Sequence, residues 1–140
     1  MSELSSGKDT RTSTDKVVWL NKGWYPTYYA FCPSEKAWHR ELKRLGSPPE
    51  PYPKGDGRCT VFESKKGICA IVTVREHDVS DTQVVGLLVH EAMHIWQEIK
   101  KDIGEEHAGE EQEAYALQNI ILQLIMAYGD TRGFKELKTW

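Results

Sequence analysis

Val89-His90-Glu91-Ala92-Met93-His94-Ile95-Trp96 is the stretch whose reading decides the rest. It carries His-Glu-x-x-His inside a run that reads as helix. Histidines at i and i+4 project from one helical face, about 40° apart. Two imidazoles placed this way can grip one small cation. Zn2+ suits them, because it is a borderline-soft ion that takes nitrogen ligands in a tetrahedral site. Glu91, beside the first histidine, is placed to reach a metal-bound water without binding the metal. That is the general-base position of a zinc hydrolase.

Working outward, Ser80-Asp81-Thr82-Gln83 predicts a capping box, with Ser80 as N-cap and Gln83 as its reciprocal partner. Gly104 suits a left-handed C-cap, and Lys100 and Lys101 before it favour the negative end of the helix dipole. Between these signals Val85, Leu88, Val89, Ala92, Trp96 and Ile99 are expected to form the apolar stripe. His90, Glu91, His94 and Glu98 then lie to one side, at the edge of a packed core.

Gly109 to Gln118 opens a second helix, with an expected apolar stripe of Ala114, Leu117, Ile121, Leu124, Ile125 and Tyr128, ending at Gly129. Glu110 and Glu113 lie near that stripe and are expected to face the first helix. A carboxylate turned toward a core is costly unless a positive charge meets it, and a zinc ion would be such a charge. Glu113 is the expected third ligand. Glu105, Glu106 and Glu111 read as acids favouring the positive end of a helix dipole.

His90, Glu91, His94 and the later Glu113-Ala114 resemble the gluzincin arrangement of thermolysin-type metallopeptidases, in which a Glu-Ala on the next helix supplies the third ligand. By that resemblance Glu113 is the third ligand, Glu110 the reserve, and His107 a third possibility in a different zincin layout; the metzincin pattern fails, because Lys100 occupies its third-ligand position. Gly86 to Glu91 together with Glu113 to Gln118 also resembles short zincin-like peptidases encoded by tailed phages and prophages, a likeness covering residues 17–128. The resemblance implies a zinc metallopeptidase and a peptide or protein substrate. It implies an edge strand that binds an extended peptide by adding it to the sheet. Other phage virion proteins become candidate partners, and the expected location is the host cytoplasm, with virion association as an alternative.

The composition sets wider bounds. The chain has 140 residues, 39% hydrophobic and 28% charged, which argues for one globular domain. A net charge of −3 gives no electrostatic reason to expect nucleic-acid binding. Three cysteines at irregular spacing form no disulfide framework and point to reduced thiols in a cytoplasmic compartment. Residues 1–15 read as a disordered polar arm without the apolar core of a signal peptide, and the domain occupies residues 16–140. No later run is long enough to span a membrane.

Val17 to Leu20 predicts a first strand, and the aromatic-rich segment Trp24 to Phe31 a second, with Pro26 limiting its start to a sheet edge. Ser34 predicts a helix N-cap, with Trp38, Leu42 and Leu45 buried and Gly46 at the end. Ser47 to Gly57, with four prolines, predicts an extended loop. Arg58 to Glu63 and Ile68 to Arg75 predict a hairpin about Ser64-Lys65-Lys66-Gly67. His39 and His77 read as solvent-facing. Phe134, Leu137 and Trp140 suggest a short docking helix or an interaction tail.

The expected architecture is therefore α+β: a small antiparallel sheet on two long helices that carry a zincin metal site, with an extra helix before the sheet. Zn2+ on His90, His94 and Glu113 is expected to activate water, with Glu91 as base and Tyr115 or His107 as donor to the oxyanion. One rival reading is a phage structural or assembly protein that keeps the fold with a stabilising metal or none. Another is a binding protein that uses the aromatic segment and the C-terminal tail.

Overall fold

Near-continuous apolar runs in the central strands give the sheet two buried faces, one packed by two helices and the other by one. A computed structural model describes residues 16–137; the expected polar arm and Trp140 lie outside them. The elements run β1 (Val18–Trp19), β2 (Tyr28–Cys32), α1 (Glu35–Arg44), β3 (Gly57–Ser64), β4 (Gly67–Val74), α2 (Asp81–Ile103) and α3 (Glu110–Thr131). The class is α+β, with a four-stranded sheet of order β1-β2-β4-β3. Among the described residues there are three helices, two of them long.

The sheet is mixed rather than antiparallel. β1 pairs with β2 and β3 with β4 in antiparallel fashion, but β2 lies parallel to β4, with Tyr28 opposite Cys69 and Cys32 opposite Thr73. The chain leaves β2 through α1 and returns through the β3–β4 hairpin, so the third helix lies within the sheet's connections and not before them. β2 is an internal strand that begins two residues beyond Pro26, which keeps the proline out of the ladder.

Side chains of alternate parity define the two faces. Tyr29, Phe31, Ala70, Val72 and Val74 pack with α2 and α3 in the larger core, while Ala30, Cys32 and Ile71 pack against Trp38 and Leu42 of α1. α1 starts where its cap predicts: the Ser34 side chain accepts from the Ala37 amide. α2 has the full Ser80–Gln83 capping box and ends on Gly104 in the left-handed conformation (φ 73°).

Both long helices are rotated from their expected phase. In α2 the buried residues are Val84, Leu88, Glu91, Ala92, Ile95, Trp96 and Ile99, whereas Val89 is 43% exposed. In α3 they are Ala116, Ile120, Leu124, Ala127, Tyr128 and Thr131, while Ala114 is exposed and the helix runs past Gly129. Sheet and partner helix together select these faces from sequences that are apolar over a wide arc. Beyond α3 no further helix forms among the described residues. Instead the Asp81 carboxylate accepts from the amides of Lys135, Glu136 and Leu137 at 2.6–2.9 Å, tying the tail to the start of α2. Among the described residues, no helix is long and apolar enough to cross a membrane.

Candidate metal centre

The rotation of α2 places its motif against β3. Glu91 is turned inward and is 3% exposed, while His90 and His94 flank it on the open side. The ligand atoms of His90, Glu91 and His94 lie within 4.8 Å of one another. The two Nε2 atoms are 3.3 Å apart. Two nitrogens bound tetrahedrally at Zn–N distances of about 2.0–2.1 Å would be separated by about 3.3 Å, so the imidazole pair has the spacing of a tetrahedral metal site. His94 Nδ1 is 3.1 Å from Gln97 Oε1. An amide oxygen can only accept, so Nδ1 donates and Nε2 keeps its lone pair for a cation.

These residues form the floor of an open cleft of about 470 Å3, whose walls include Gly57, Arg58, Cys59 and Val61 from β3 and Gln97, Glu98 and Lys101 from α2. Burial pushes the Glu91 carboxyl above the ordinary carboxylate range, against the pull of His90, His94 and Arg58. Gly57 makes that burial possible. A Cβ there would sit 3.1 Å from Glu91 Oε2 and 3.4 Å from Leu87 Cδ2, so the absent side chain lets the strand pass over the carboxylate. Glu98, one turn past His94, is engaged instead by Asp102: their hydrogen bond, then burial, raises its carboxyl. Asp102 in turn accepts from Thr27 Oγ1 at 2.5 Å.

Among the described residues, β3 is an edge strand hydrogen-bonded only to β4. The Arg75 amide donates to the Asp56 carbonyl just beyond the ladder, which makes that opposing pair a hydrogen-bonded one. By the alternation of antiparallel pairing, Arg58, Thr60 and Phe62 then bond to β4, and the main-chain groups of Gly57, Cys59, Val61 and Glu63 face the free edge. The open rim of the sheet thus lies directly beside the histidine pair.

The other expected site residues lie elsewhere. The Glu113 carboxylate accepts from Trp96 Nε1 at 2.7 Å and from Lys100 Nζ at 3.1 Å, and these bonds hold its pKa below the usual range. Trp96 is fully buried two residues beyond His94, which is about 200° around the helix. Glu113 therefore belongs to the α2–α3 seam and does not join the imidazoles; a tryptophan N–H and a lysine meet the charge that a metal was expected to meet. Glu110 and His107 are exposed, and neither belongs to the metal-compatible group. Tyr115 is 67% exposed on α3 and does not line the cleft. His39 and His77 are exposed as expected. Sequence reasoning missed Gly57, Arg58 and Gln97. Only Gln97 carried a signal, its position one turn beyond His94.

No family model, no curated protein and no solved structure matches the chain.

Proposed function

We propose that this protein is a zinc-dependent hydrolase of peptide bonds, a zincin-like metallopeptidase in which His90 and His94 hold the ion. The observation that carries this reading is a buried carboxylate, Glu91, set among two convergent imidazoles at the floor of an open cleft beside a free strand edge. A bound zinc ion would supply Lewis acidity, lowering the pKa of water and polarising a carbonyl. Glu91 is the base: its carboxylate takes a proton from the attacking water and returns it to the departing amine. Its desolvation raises its basicity toward that task. Arg58 and Lys101 bring positive charge to the cleft walls, where negative charge develops on the carbonyl oxygen. The free edge of β3 binds the substrate backbone in extended form.

A structural zinc site closes its shell with four protein ligands. Here two imidazoles converge among the described residues and the carboxylate beside them is taken as the base, so the protein leaves the shell open, which favours catalysis over a purely stabilising metal. The test pairs metal analysis with cleavage of a random peptide library. The expected result is one zinc per chain and chelator-sensitive cleavage. Glu91→Gln should keep the zinc and lose about 10²–10⁴-fold in rate. Full activity in that zinc-loaded variant would refute the assigned base. Zinc without cleavage by the wild-type chain would favour an assembly role.

A further inference from the structure

The sheet separates the metal cleft from a second cavity of about 560 Å3, on the side that faces α1 and the proline-rich loop. The two share wall residues, Arg58 and Val61 of β3. We propose that this second cavity is a specificity pocket that takes an aromatic side chain of an extended peptide lying along the β3 edge. The proposal rests on the hydrolase reading and adds what the enzyme selects.

Geometry comes first. Side chains of a strand alternate between the two faces of its sheet. Cys59 of β3 packs into the α2–α3 core, whereas Phe62 packs toward α1. A peptide added to the free edge continues the same pleat. Its residue over the metal cleft and the next one along therefore point to opposite faces, and the second points to the cavity. Val61, shared by both walls, marks where the peptide would cross from one to the other.

Chemistry then narrows the occupant. Trp38 and Tyr52 form an edge-to-face pair at 6.2 Å in the cavity wall. Their polar tips are already engaged: Trp38 Nε1 donates to the Glu50 carbonyl at 3.0 Å, and the Tyr52 hydroxyl faces the Val74 carbonyl at 3.5 Å. Tyr52, half-buried, presents ring surface to the cavity, and the buried Trp38 backs that ring from the core. Pro48, Pro51 and Pro53 add lining that has no backbone N–H to donate. Charged wall residues come two of each sign, Lys54 and Arg58 against Glu50 and Glu63, so neither an acidic nor a basic side chain gains a net counter-charge. An aromatic ring fits the rings and the volume, and it loses no hydrogen bonds on entry.

The experiment uses the zinc-loaded full chain and matched peptides carrying Phe, Tyr, Ala, Lys or Asp at each position flanking the cleaved bond. Affinities are also measured with the Glu91→Gln protein, whose slowed turnover leaves the peptides intact during the measurement. The expected result is that at one flanking position Phe or Tyr improves kcat/KM, and binding to Glu91→Gln, by at least about tenfold over Ala. Ser47→Trp, placed on the cavity wall to fill it, should erase that preference while zinc content and circular dichroism stay unchanged. Should it fail to fold, Pro48→Trp on the same wall replaces it. Cleavage with no aromatic preference, or a preference that survives the filled cavity, overturns the pocket and leaves the hydrolase standing. Aromatic-selective binding that Ser47→Trp abolishes, with no cleavage by the wild type, supports the pocket and overturns the hydrolase.

Discussion

Glu113→Gln separates the ligand set expected from sequence from the one seen in the fold. Trp96 lies about 200° around α2 from His94, and an α-helix with side chains is about 10–12 Å across. A carboxylate bonded to Trp96 Nε1 at 2.7 Å thus lies on the far flank of the rod from the imidazoles. The glutamine keeps an oxygen for the indole N–H and removes only the charge facing Lys100. Zinc affinity, measured by competition with a chromophoric chelator, should change by less than about threefold. Removing even an outer-sphere partner of a metal ligand commonly costs about 10–100-fold, and removing a direct ligand costs more. A drop beyond about a hundredfold in the folded variant would show that Glu113 swings to the metal, and would refute the assignment of this residue to the α2–α3 seam.

Two more perturbations test the site and its support. Gly57→Ala should press the new methyl against Glu91 Oε2, at 3.1 Å before relaxation, lowering kcat by about tenfold or more with zinc content unchanged; steady-state kinetics beside metal analysis would show it, and an unchanged kcat would remove Gly57 from the account. Glu41 tests pH dependence: burial pushes its carboxyl up, but bonds from Arg44 and from Trp19 Nε1 outweigh that and hold it below the ordinary 4.5. A depressed carboxyl contributes stability that is present above the ordinary value and is lost as pH falls through the folded-state value. Urea unfolding between pH 6 and pH 3 should therefore show an acid limb that is flatter in Glu41→Gln than in the wild type.

Local chemistry made much of the fold legible. Ser34, Ser80 with Gln83, and Gly104 each act on backbone groups within a few residues, so the caps stand where the sequence puts them. The β3–β4 hairpin was equally readable, because its turn and its strands are contiguous. The parallel pairing of β2 with β4 was not, since it joins strands separated by α1 and the proline loop, and no short-range pattern records it. Helix phase failed for a related reason. α2 is apolar at Val84, Val85, Leu87, Leu88 and Val89, so only the neighbours decide which of these face inward. The His90–Glu91–His94 grouping was legible because helical spacing alone creates it. Glu113 was not, because its partners Trp96 and Lys100 come from another helix and a pattern of acids cannot reveal them.

The one-sided attachment of β3 has a kinetic corollary. Its amides form two populations: those of Arg58, Thr60 and Phe62 are protected by β4, and those of Cys59, Val61 and Glu63 open to solvent. In deuterated water the strand should label in alternation, residue by residue, at different speeds. A chain laid along that rim would slow the faster set alone, so the isotope pattern of a single strand is a built-in reporter of when the cleft is filled.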